Sequence, residues 1–394
     1  MPTCSVRPWR RKTRRGQVAR TNHRALSELA RDHGDRGPWY RLHLDAPLLL
    51  ALLLLCAFGL VVLYGASDQD LATVERQLIR LGIASLFMIA LAQVPPARLR
   101  VWSPVLYGVG VLMLIAVLLV GDVGKGAQRW LDLRVIRFQP SELLKLAVPM
   151  MLAWMLSARR LPPTLPWVVL ATVLTLIPVI LIAKQPDLGT SILVASAGVM
   201  VLFVAGLSWW MILALAVAAL AVAPLVWFGL HDYQRDRVLT FLNPEMDPLG
   251  AGYHIIQSKI AIGSGGIDGK GWLNGTQSHL EFLPERSTDF IFAVIGEEFG
   301  FTGILVLLAI YLFIILRGLL IAARAEDRFG RLLAGSLTLV FFVYVFVNTG
   351  MVTGLLPVVG VPLPLISYGG TSMVTLMAGF GIIMAVQTHR IRPL

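Results

Sequence analysis

The sequence predicts an all-α polytopic membrane protein with ten transmembrane helices, and three observations predict it. Hydrophobic residues make up 56% of the 394-residue chain and charged residues only 14%, whereas a soluble domain carries about 25% charged residues. Ten apolar segments, near 46–64, 77–94, 101–121, 142–158, 166–183, 188–206, 209–229, 290–316, 331–356 and 369–388, approach or exceed a membrane-crossing length, which is ~20 residues for a ~30 Å core. Finally, Lys and Arg alternate between the short connections in the way that sets membrane orientation.

Taken in order, residues 1–45 form a basic tail, with eleven Lys/Arg against four Asp/Glu. Such a tail suits a cytoplasmic anchor beside anionic lipid better than a nucleic-acid site, although the whole chain carries a net charge of +11. The N-terminus reads as a poor secretory signal, because its apolar run begins only near Ala46 and no small-residue cleavage pattern follows it closely. With this end cytoplasmic, the inside connections carry Arg98 and Arg100, Arg159 and Arg160, then Arg317, Arg324, Arg328 and Arg331, and finally Arg390 and Arg392. Both termini then lie in the cytoplasm. A large periplasmic loop at 230–289 separates the seventh and eighth helices. The fourth and fifth segments contain Pro149 and Pro178, which membrane helices tolerate when neighbours satisfy the freed carbonyls. Cys4 and Cys56 suggest neither a disulfide framework nor a metal site.

Two outer segments break the charge rule. Residues 122–141 carry Lys125, Arg129, Arg134 and Arg137, and part of the 230–289 loop is also basic. A polyanionic ligand on the outer face would account for both. In GKGAQRWLDL (124–133), Trp130 reads as an interfacial anchor. Lys125 and Arg129 would share a face if the stretch is helical, and would then hold phosphate oxygens; both readings stand. GSGGIDGKG (263–271) imitates a phosphate loop, but Ser264 occupies the position of the first Walker glycine and Asp268 that of the third dinucleotide glycine. It reads as flexible turns. Tyr253–Ile262 before it reads as a short amphipathic helix.

Ionisable residues at membrane depth are costly and usually face a cavity or one another. Glu142 and Lys145, three residues apart, share a helix face and suggest a wet cleft. Lys184 and Asp187 flank Pro186 and read as a neutralising pair. Glu297 and Glu298 lie two turns inside the eighth span in a Gly-flanked stretch suited to close helix contact, and read as structural. Asp289 is placed in the first turn of that span, with Ser287 or Thr288 as cap and Glu285 and Arg286 just before it. It reads equally as a carboxylate suited to the helix dipole and as a functional group.

These residues together resemble the SEDS family (shape, elongation, division and sporulation). The carriers are KGAQRWLDL at 125–133, RFQPSELLK at 137–145, QPDLGTS at 185–191, DPLGAGYHIIQSKIAIGSGGIDGKGW at 247–272, FLPERSTDFIFAVIGEEFG at 282–300 and PVVGVPLPLISYGGTS at 357–372. The likeness runs from about Leu44 to Arg390, and the outer-loop wording is similar to the elongation type. It implies a glycosyltransferase of the cytoplasmic membrane that polymerises lipid II into glycan strands for lateral wall growth and rod shape. It also implies an essential acid at Asp289, cavity residues at Glu142 and Lys145, and a basic residue at Arg76. A class B penicillin-binding protein is the implied partner, docked along its own span on the eighth and ninth helices. Ser287 stands where close relatives often have His, and Arg134 where Gly is more usual. Residues 1–41 have no family counterpart.

The implied reaction needs one base, because pyrophosphate leaves without a proton; glycosidases, by contrast, need an acid and a second carboxylate. Asp289 is assigned that role. Arg286, Lys125 and Arg129, with Arg76 or Lys145, are expected to neutralise the leaving group, and Glu285 to line the substrate site. A divalent cation, Mg2+ or Mn2+, would bridge pyrophosphate and a carboxylate, but the sequence holds no ligand set dedicated to one. Two rival readings are a flippase for the lipid-linked precursor and a non-catalytic scaffold for the transpeptidase.

Overall fold

The computed structural model describes residues 42–124, 127–132, 137–229, 235–236, 239–241, 251–279, 283 and 285–389. The body is helical, and a helix lies over each of the ten apolar segments. In chain order the first three are α1 (Ala46–Ala66), α2 (Leu71–Ala92) and α3 (Pro96–Val120). A small antiparallel sheet follows, of β1 (Asp122–Gly124), β2 (Ala127–Asp132) and β3 (Arg137–Phe138). Then come α4 (Pro140–Ser157), α5 (Leu165–Lys184), α6 (Leu188–Val204) and α7 (Trp209–Gly229). The loop region contributes α8 (Ala251–Ser264) and the single turn α9 (Thr276–His279), and the chain ends with α10 (Ile291–Ala323), α11 (Arg328–Val352) and α12 (Thr371–Thr388). Among the described residues, six helices are long and apolar enough to cross a membrane: α1, α3, α5, α10, α11 and α12.

Among the described residues the sheet is the one departure from helical regular structure. Asp122 pairs with Trp130, and Leu131 with Phe138. Arg129 therefore lies on a strand, whereas Lys125, expected to share a helix face with it, lies outside the described residues.

Helix ends are set by side chains at hand. Asp45 accepts from Leu48 N (3.1 Å) and takes a two-pronged contact from Arg317 on α10 (3.0 and 2.6 Å), fixing the start of α1 against a distant helix. Asp70 caps α2 through the amides of Ala72 and Thr73. Asp187 caps α6 through Thr190 N (3.1 Å), and its other oxygen accepts from Gln139 (3.1 Å). Lys184 is exposed, so the neutralising pair expected of Lys184 and Asp187 gives way to a helix cap.

The centre of the bundle is α11 and α12, with 72% of each apolar window buried, against 28% for α3, α5 and α10. Leu48, Leu52, Leu55 and Leu63 of α1 are fully buried, as are Leu144 and Leu152 of α4 and Tyr311 of α10. Spacings of three, four and eight residues put the α1 set, and likewise the α4 pair, on one helix face.

α10 is continuous by its ends but broken within. Gly300 adopts φ 63, ψ −162, a conformation essentially reserved for glycine. The break frees backbone groups that nothing in a membrane core would satisfy. The 265–271 loop satisfies them: Phe301 N donates to Gly266 O (3.0 Å), Thr302 N to Ile267 O (3.1 Å), Lys270 N to Glu297 O (3.0 Å) and Gly271 N to Glu298 O (3.0 Å). A side chain on Gly300 would collide with the backbone of Gly269. The glycine-rich GSGGIDGKG run is thus a fitted plug rather than a set of free turns. α8, which leads into it, extends the helix expected over Tyr253–Ile262, and Ser258 anchors it to Val352 O (2.8 Å).

Candidate active site

Asp289 lies just before α10, on a turn rather than in the first helical turn. The residue at the helix N-cap is Phe290, without a side-chain bond. The predicted cap, Thr288, instead donates to Glu285 Oε2 (2.8 Å) and Glu285 O (3.1 Å). The amides of Thr288 (3.0 Å) and Phe290 (3.3 Å) also close on Glu285 O, so Glu285 folds the turn from a left-handed φ of 54. Glu285 is exposed and Asp289 half-buried.

A second segment, 357–370, runs beside this turn. Ser367 Oγ donates to Thr288 O (2.5 Å) and Tyr368 N to Ser287 O (2.8 Å). Asn348 of α11, fully buried, donates to both Asp289 O (2.9 Å) and Val361 O (2.7 Å). Gly360, at φ 73, lies where an added Cβ would be 3.4 Å from Asp289 Oδ2. α2 holds the far side of this strap: Gln77 donates to Ser367 O (3.2 Å), and the Arg80 guanidinium stacks on Tyr368 (4.3 Å).

Glu142 and Lys145 form the expected pair at 2.8 Å, both buried. Lys145 also lies 5.4 Å from the centre of the Tyr344 ring. Glu142 Oε2, the Tyr344 hydroxyl and Ser372 Oγ are buried and find no partner among the described residues. Unpartnered polar atoms in one place are expected to be wet or ligand-bound. A cavity of about 30 Å3 opens beside Lys145 and Tyr344. Tyr344 and Asn348 are one helical turn apart on α11, so the same helix serves the Glu142–Lys145 pair and the Asp289 turn. Gly189 at the start of α6 packs on Val359 O, and thereby joins the Gln139–Asp187 contact to the strap.

The other predicted cations behave differently. Arg286, expected as a free charge beside the acid, is ion-paired with Asp68 on the α1–α2 turn, which offsets its charge. Arg76 reaches Thr73 Oγ1 (2.8 Å) and Asp70 (3.5 Å), local partners at the start of its own helix. Arg129 stands on β2, its side chain outside the described residues, and Lys125 lies outside them altogether.

Glu297 and Glu298 are fully buried at the break in α10. Glu297 accepts from Lys270 Nζ (2.6 Å), Thr276 Oγ1 (3.1 Å) and Gln277 N (2.9 Å). This environment fits the structural reading of Glu297, whereas both oxygens of Glu298 are buried against Gly65 with no hydrogen-bond partner among the described residues. Asn348 escaped the sequence reading, and the 357–370 segment carried the family likeness there without being given a role in the site. A lone amide inside the apolar FVYVFVNTGMV run was the available signal for the first.

Residues 46–392 match the family model for FtsW, RodA and SpoVE, described as cell cycle protein. The chain belongs to this family. The FtsW/RodA/SpoVE relatives include peptidoglycan glycosyltransferase MrdB of Escherichia coli K12, 57% identical over 353 residues, which cover 89% of this chain and 95% of that protein. The probable peptidoglycan glycosyltransferase FtsW of Geobacter metallireducens is 37% identical over 88% of this chain and 95% of its own. Among solved structures, a chain from work on the structural coordination of polymerization and crosslinking by a peptidoglycan synthase complex superposes with a TM-score of 0.76. It is 37% identical, and the match covers 87% of this chain and 97% of that one. The rod shape determining protein RodA of Thermus thermophilus matches with a TM-score of 0.67 at 31% identity, over 89% and 98% of the two chains.

Proposed function

We propose that this protein is a peptidoglycan glycosyltransferase that polymerises lipid II, with Asp289 as the base. The likeness to MrdB over nearly the whole chain supports the reaction class. The carrying observation for the site is the grip on Asp289, through Asn348 below and Gly360 beside its carboxylate, at the mouth of an apolar helix.

In this reading the ten helices over the predicted segments all cross the cytoplasmic membrane, with both termini inside and Asp289 facing the periplasm. Lipid II is itself anchored in the bilayer, so its reactive head sits at the depth of the α10 entrance. Asp289 accepts the proton from the acceptor's sugar hydroxyl as the hydroxyl oxygen bonds to the donor's anomeric carbon. The bond from that carbon to the diphosphate breaks, the configuration inverts, and undecaprenyl diphosphate departs with the electron pair. Arg76, Lys125, Arg129, Lys145 and Arg286 are the cations offered to its charge. Arg286 and Lys145 do so while keeping their carboxylate partners, so their net contribution is smaller than that of a free cation. Among the described residues no three His, Cys, Asp or Glu side chains converge on one point. A Mg2+ or Mn2+ ion would therefore be carried by the diphosphate rather than by a protein-built cage, and no step here passes through one.

A class B penicillin-binding protein is the proposed partner, seated along α10 and α11, where Leu312, Phe342 and Phe346 are exposed. The test uses purified protein in detergent with labelled lipid II, with and without that partner. Polymer from the wild type and none from Asp289→Asn is the expected result. A flippase would make no polymer without a sealed compartment, and wild-type strand synthesis by the Asp289 variant would remove it from the mechanism.

A further inference from the structure

The grip on Asp289 has a single fully buried side chain at its centre. Asn348 is 0% exposed, and its amide nitrogen donates to two carbonyls from different segments, Asp289 O at 2.9 Å and Val361 O at 2.7 Å. An Asn side chain has two N–H donors, and both are used here. The two segments are those that converge on the carboxylate: the 285–290 turn that carries it and the 357–361 run that presents Gly360 to Oδ2. α11 is among the most buried helices of the bundle, so it offers a fixed reference for both.

We infer that Asn348 is a positioning residue for the transfer reaction. It sets the distance between the Asp289 carboxylate and the 357–361 backbone, and so the direction in which the base meets the acceptor hydroxyl. The inference rests on the proposed role of Asp289. The chemistry of the amide matters, not only its volume. Leu has nearly the same shape but no donor, and would leave two carbonyls without partners. Asp has the same outline but as a carboxylate opposes both oxygens. Ser retains one donor on a shorter arm. Geometric slack of an ångström at a base costs roughly 10²-fold in rate. Its expected signature is a loss in kcat larger than any change in KM.

The experiment compares full-length wild type with Asn348→Leu, Asn348→Ser and Asn348→Asp in lipid II polymerisation, with kcat and KM separated. Thermal stability is measured on the same samples, together with backbone hydrogen exchange over 285–290 and 357–361. Asn348→Leu should lose roughly 10²-fold in kcat with KM within about threefold of wild type. Exchange should rise in both segments together, and Asn348→Ser should fall between. Should the Leu variant fail to fold, the Ser and Asp variants carry the same comparison. Wild-type kcat in a folded Asn348→Leu, or losses that follow thermal stability with KM rising in step, would overturn the inference. Exchange separates the two readings: paired loosening in a protein whose wild type makes no polymer would sink the proposed function and the kinetic role with it, leaving only the hold of Asn348 on the two segments.

Discussion

Asp289 and Glu297 stand eight residues apart at the entrance of one apolar helix, yet the fold gives them opposite surroundings. Glu297 is sealed, with Lys270, Thr276 and Gln277 all donating to Oε1. At Asp289 the backbone carbonyl accepts from Asn348, and the half-buried carboxylate has Oδ2 beside Gly360. The comparison teaches how one stretch of sequence serves two purposes. A carboxylate needed for packing has its charge matched side chain to side chain. At Asp289, the residue proposed for chemistry, the main chain is held as well, by Asn348 on its carbonyl.

The sharpest way to break this contrast is to remove each charge in turn. Asp289→Asn should lower polymerisation by at least the 10²–10⁴-fold typical of a general base while thermal stability stays near wild type. Glu297→Gln should do the reverse, lowering the melting temperature and leaving synthesis by the folded fraction within severalfold. Equal effects on both readouts would erase the distinction.

Next in size is the cation that seals Glu297. Lys270→Met leaves a fully buried carboxylate unmatched, a loss of about 3 kcal/mol at the lower end of the range for broken buried pairs, because Lys270 is 26% exposed. Adding Glu297→Met should recover much of that stability, measurable by thermal unfolding in detergent.

Gly300→Ala tests the break itself. It places a Cβ where φ is 63 and against the Gly269 backbone, at a cost of about 2 kcal/mol or more. Unfolding should show the loss, and exchange should show the 265–271 plug loosened.

A smaller effect is expected at the lip. Asp68→Asn removes one carboxylate partner of Arg286, and because the Asp68 side chain is 49% exposed stability should change by less than about 1 kcal/mol. KM for lipid II should fall modestly as the cation becomes available to diphosphate. A rise in KM would mean that the pair shapes the site instead.

The smallest effect lies on the opposite side of the bundle. His43 stacks on His389 at 3.9 Å, and burial, then the neighbouring imidazole, lowers its pKa from 6.5. A base whose folded pKa is depressed binds fewer protons folded than unfolded. This contribution to stability is therefore present above the unfolded pKa, near 6.5, and declines as pH falls below it. His43→Asn should flatten that portion of the stability–pH curve.

Much of the fold was legible because a bilayer imposes simple rules. Ten apolar runs and Pro-marked helices follow from chain length and hydropathy, and helices now lie over all ten. The same rules made Glu142, Lys145 and Asp289 conspicuous, since a charge in such a run demands a reason. What escaped was local partnership. Thr288 looks like a helix cap by position, but Glu285 folds back and takes its hydroxyl. Lys184 and Asp187 look like a pair by spacing, but Asp187 meets the amide of Thr190 first. The glycines of 263–271 look like free turns, because nothing nearby in sequence announces the break at Gly300 that they fill.

The sequence by itself determined the class, the helices and the small set of charges that need explaining, because burial in lipid selects for composition and that is a local property. The tertiary structure alone decided which charge is neutralised and which is presented. That choice turns on contacts between residues tens to hundreds of positions apart, such as Arg286 with Asp68 and Asn348 with Asp289. Hydrogen bonds and ion pairs act over a few ångströms of space, and a linear pattern carries no measure of that distance.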